Sequence, residues 1–113
     1  MTTGADMATP SEKQAFIDAL YELQQTCNTK ANDGTLTEGQ RSVFITASIY
    51  LTSDIGRACD KDFSPVPSDK VQSAIQEVKQ ATTATSAAHD DFSVQVAAKE
   101  LWDANTAIDL VLD

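Results

Sequence analysis

Apolar residues in this chain recur at spacings of three and four, and no segment alternates singly between hairpin turns, so the pattern is helical throughout. A first helix start is written at Thr9-Pro10-Ser11-Glu12. Thr9 can accept from a first-turn amide, Pro10 suits the first helical position, and Glu12 completes a capping box. Phe16, Leu20, Leu23 and Cys27 then mark one face. Asn32-Asp33-Gly34 breaks the pattern, and Thr37-Glu38-Gly39-Gln40 repeats the capping-box logic, predicting a second helix from about Glu38 to about Cys59. "DKDFSPVP" at 60–67 stops it, because each proline disfavours helix in the residue before it. Ser68 is read as the cap of a third helix carrying Val71, Ile75 and Val78, followed by the small-residue stretch "ATTATSAAHDD". A fourth begins near Ser93, with Asp90 or Asp91 helping to cap it, and holds the strongest period: Val94, Ala97, Leu101, Ala104, Ile108 and Val111. The expected fold is all-α, a four-helix bundle running mostly antiparallel, up-down-up-down, over 9–113, with 1–8 as a disordered N-terminal tail. An open three-helix core with a loosely docked fourth helix is the alternative.

Helix two carries more apolar residues than one face needs. Val43, Phe44, Ala47, Leu51, Ile55 and Ala58 form one stripe, while Ile45, Ile49, Thr52 and Gly56 form a second that tapers to a residue without a side chain. That taper would let another backbone approach at Gly56. The second stripe is then either buried against a neighbour within the bundle or a seam for a homodimer or partner. Trp102 poses the same question. With helix four centred on Leu101, Ala104 and Ile108, Trp102 shares a face with Gln95, Lys99, Thr106, Asp109 and Asp113 and reads as an interaction anchor. A register centred on Ala98, Leu101, Ile108 and Leu112 would place it at the core edge. Asp109 and Asp113 stand at a helix end that favours cations, a conflict explained either by fraying or by function. The candidate partner-binding residues are therefore Trp102, Ile45, Ile49, Tyr50 and Asp109.

Charge narrows the partner. The 113 residues make a single domain, with 17 acidic against 8 basic side chains and a net charge of -9. Such a surface repels a phosphate backbone and attracts a basic protein surface, although charge also serves solubility alone. Nucleic-acid mimicry would need a dense acidic row, whereas Asp18, Glu22, Asp54, Glu77, Glu100 and Asp103 are scattered and interleaved with Lys and Arg. The N-terminal stretch has no basic region followed by an apolar one, and no run approaches the ~18 apolar residues of a membrane span, so no membrane partner and a cytoplasmic location are expected. Cys27 and Cys59 fall at opposite ends of the helix-one–helix-two hairpin, on the order of 30 Å apart, too far for a disulfide.

Catalytic chemistry has no local signature. His89, the only histidine, lies in "SAAHDDF", and neighbouring positions 89, 90 and 91 make a poor metal site. A lone histidine on a bundle of this length resembles the histidine phosphotransfer domains, which would imply phosphoryl transfer at His89. Those domains carry Lys and Gly shortly after the histidine. Here Asp90, Asp91 and Phe92 follow, and two carboxylates repel a phosphoryl group. Cys27 lies on an apolar stripe; Cys59 neighbours Arg57 and Lys61, but no histidine is placed to act as its base. Nucleotide and zinc motifs are absent from the sequence. No catalytic residue, cofactor or metal is expected. The expected function is a non-enzymatic protein-binding module acting as inhibitor, antagonist or adaptor, analogous in size and charge to phage-encoded blockers of host defence complexes or to immunity proteins. Phosphotransfer signalling through His89 and a structural homo-oligomer are the rival expectations.

Overall fold

The computed structural model describes residues 6–113 and is an all-α four-helix bundle: α1 Pro10–Ala31, α2 Glu38–Asp60, α3 Ser68–Ala87 and α4 Asp91–Leu112. Local chemistry explains most of the ends. Thr9 and Glu12 close a reciprocal capping box, as do Thr37 with Gln40 and Asp90 with Ser93. α3 is the exception. Its cap is Pro67, with no side-chain bond, and the Ser68 hydroxyl expected to cap it donates instead to the Glu12 carboxylate of α1.

Successive helices are antiparallel, giving the expected up-down-up-down order. Hydrogen bonds between helix ends fix the directions. Lys13 Nζ at the start of α1 donates to the Cys59 and Lys61 carbonyls at the end of α2 (3.3 and 2.7 Å), and Lys30 Nζ at the end of α1 donates to the Ala88 carbonyl beyond α3 (2.7 Å). Both lysines thus serve carbonyls that a helix leaves unpaired at its C-terminal end. Around the bundle, α1 lies beside α2 and α3, and α4 beside α3 and α2, so the 61–67 connection crosses the end of the bundle diagonally. Phe63 and Val66 from this connection are buried, with the Phe63 ring 5.7 Å from that of Phe16. Of the tail expected at 1–8, residues 1–5 lie outside the described residues. Asp6 to Ala8 run beside 66–68, with the Ala8 amide donating to the Val66 carbonyl and the Ser68 amide to that of Asp6 (2.8 and 2.9 Å).

The core is a single cluster. Phe16, Leu20, Leu23, Phe44, Val71, Val78 and Ile108 are its large members, with Ala74, Ala81, Ala97 and Ala104 allowing α3 and α4 to approach. The diagonal crossing leaves α2 and α4 as parallel neighbours, and these two pack over much less of their length than the other adjacent pairs. Among the described residues no helix is long and apolar enough to cross a membrane.

Candidate functional site

The loose α2–α4 pair opens into a groove of about 400 Å³, within the roughly 300–1,000 Å³ range of binding clefts. Its floor is the buried Leu23, Leu51, Ala104 and Ile108. Val43, Thr46 and Ala47 of α2 face Ala98, Leu101 and Asn105 of α4 across it. Tyr50 and Trp102 stand at its rim, 62% and 72% exposed.

The two helices are tied at both ends of the groove. Gln40 Nε2 donates to Asp91 Oδ1 at the upper end (2.6 Å). At the lower end Arg57 of α2 meets three carboxylates: Asp113 Oδ1 at 2.6 Å, Asp54 Oδ1 at 3.3 Å and Asp109 Oδ1 at 3.6 Å. Arg57 therefore supplies the cation whose absence made Asp109 and Asp113 look misplaced at a helix C-terminus. The Asp54 side chain is only 8% exposed. Burial pushes its carboxyl above the usual range, Arg57 pulls it back, and the negative charges of Asp109 and Asp113 raise it further.

The five residues singled out in the sequence are not gathered in one place. Trp102 and Tyr50 line the α2–α4 groove, and Asp109 lies outside it, paired with Arg57 beyond its lower end. Ile45 and Ile49 lie on the other flank of α2, in the stripe continued by Thr52, whose hydroxyl accepts from Gln24 of α1 at 2.5 Å. They are exposed, Ile49 by 66%, so this stripe is not core within the chain. A methyl group at Gly56 would meet nothing within 4 Å, so among the described residues no backbone approaches there. In α4 the register that exposes Trp102 is the one adopted, with Ala97, Ala104, Ile108 and Val111 buried.

Sequence reading missed Asp54, Arg57 and Asn105. Asp54 did carry a signal, an acid next to Ile55 in the middle of an apolar stripe. It also missed a trio: carboxylate oxygens of Glu77 on α3 and Glu100 and Asp103 on α4 lie within 4.8 Å of one another, half-buried, with Lys99 Nζ 2.7 Å from Asp103. The i, i+3 pair on α4 was visible in the sequence, but the α3 partner depends on packing. His89 is exposed between α3 and α4, its Nε2 3.5 Å from Asp90 Oδ2. Cys27 is buried, its thiol pushed up to about 12 by burial, and Cys59 is exposed; both are free. No protein-family model, curated protein or solved structure matches this chain.

Proposed function

We propose that this chain works without catalysis, as a cytoplasmic protein-binding module that occupies a partner's surface through its α2–α4 face, as an inhibitor, antagonist or adaptor does. The observation that carries this reading is the open apolar groove with Tyr50 and Trp102 on its rim. Wet apolar surface gains on being covered, and Trp and Tyr contribute most per residue because they bring large area with few rotatable bonds. The net charge of -9 favours a partner with a basic surface by hastening encounter. Two free thiols fit a reducing compartment.

Affinity capture from cells of origin, run side by side with Trp102→Ala, Tyr50→Ala and Ile49→Ala, tests the reading. The same captured protein should be lost with the first two variants and retained with the third; Trp102→Ala should weaken the complex by about 2 kcal/mol, some thirtyfold. Capture that survives both groove variants contradicts it. The exposed Ile45 and Ile49 favour one second reading, a homo-oligomer closed through that flank of α2.

A further inference from the structure

The lower end of the groove is under-neutralised. Asp54, Asp109 and Asp113 share the single guanidinium of Arg57, leaving two negative charges beside an apolar cleft. Arg57 engages Asp54, a groove-lining residue, through Oδ1, and among the described residues Oδ2 of this nine-tenths-buried side chain has no hydrogen-bond partner. That oxygen keeps a narrow contact with solvent, and a cation entering from the groove could pair with it by a charge-assisted hydrogen bond.

The walls constrain the rest of the occupant. Both are helices, so no sheet edge is offered to an extended chain, whose amides and carbonyls would go unpaired against the apolar lining. A helix satisfies its own backbone. From Val43 to Asp54 the groove runs about 17 Å, three helical turns, long enough to hold anchors at i, i+3, i+4 and i+7, which span about 10 Å.

We propose that the groove receives an amphipathic helix of a partner protein, with apolar anchors between Tyr50 and Trp102 and an arginine or lysine against Asp54 and Asp109. This deepens the protein-binding reading and rests on it.

The test uses a capped synthetic helical peptide free of Trp and Tyr, with leucines at i, i+3, i+4 and i+7 and two arginines in one terminal turn, and a twin with glutamine in place of arginine. Trp102 is the only tryptophan, so its emission reports groove occupancy directly. The arginine peptide should shift that emission saturably and bind about tenfold more tightly than its twin. Asp109→Asn with Asp113→Asn should erase the difference. Removing the same charge from α1 with Asp18→Asn and Glu22→Gln should leave it intact. Equal binding of the two peptides, or a preference that falls as much with the α1 pair, overturns the cationic contact and leaves the groove reading standing. Binding of neither peptide overturns the helical occupant. The groove reading itself is tested separately, by capture of the cellular partner with Trp102→Ala and Tyr50→Ala, a measurement the peptides do not enter.

Discussion

Glu12 joins two helices with one side chain. Its carboxylate accepts from Ser68 Oγ, from the Thr9 amide and from Gln72 Nε2, and these bonds hold its pKa down from 4.5 to about 2. A carboxylate whose folded pKa lies below its unfolded value adds stability that is present above the unfolded value and lost as pH falls through the folded one. Glu12→Gln should therefore lower the thermal midpoint at neutral pH, and the midpoints of variant and wild type should converge as pH drops from 4.5 toward 2. Circular dichroism melts would show it; a gap independent of pH would contradict the assignment. The cysteines separate just as sharply. Cys27, buried with its thiol raised to about 12, should resist alkylation in the folded protein while exposed Cys59 reacts, giving one rapid equivalent by mass spectrometry and a second only on unfolding.

At the scale of the elements, Gly56 decides what the outer flank of α2 is for. It sits in a helix at no special dihedral, with open space where a methyl would go. Gly56→Ala should stabilise the fold by roughly 1 kcal/mol in urea titration; loss of stability would mean that another chain packs against that glycine. The helix ends were largely legible in the sequence, because Thr9, Thr37 and Asp90 act on amides two or three residues away. Ser68 was not, because its hydroxyl is taken by Glu12, distant in the chain and brought close by the α1–α3 contact. The same limit explains the site. Trp102 and Tyr50 could be marked as surplus to the core, but the groove between them depends on α2 and α4 being neighbours. The diagonal crossing at 61–67 sets that arrangement, and no local pattern encodes it.

For the whole molecule, the net charge of -9 and the lower-end carboxylates set the expected behaviour in salt. A complex with a basic partner should form more slowly as ionic strength rises, with dissociation changed much less, because screening acts on encounter more than on groups already desolvated in the groove. The free protein should have the mass of one chain, 12.1 kDa, by light scattering at high salt. A dimer that persists there and is lost on Ile49→Asp would instead assign the outer flank of α2 to self-association. On the reading proposed above, the α2–α4 groove is where another protein sits. The most direct test of that reading is site-specific photocrosslinking in cells of origin, with a benzophenone side chain placed at position 102 in one sample and at 49 in another. A discrete adduct to one other protein is expected from position 102, competed away by unlabelled wild type, and none from position 49. No adduct from 102, or one from 49 alone, would contradict it.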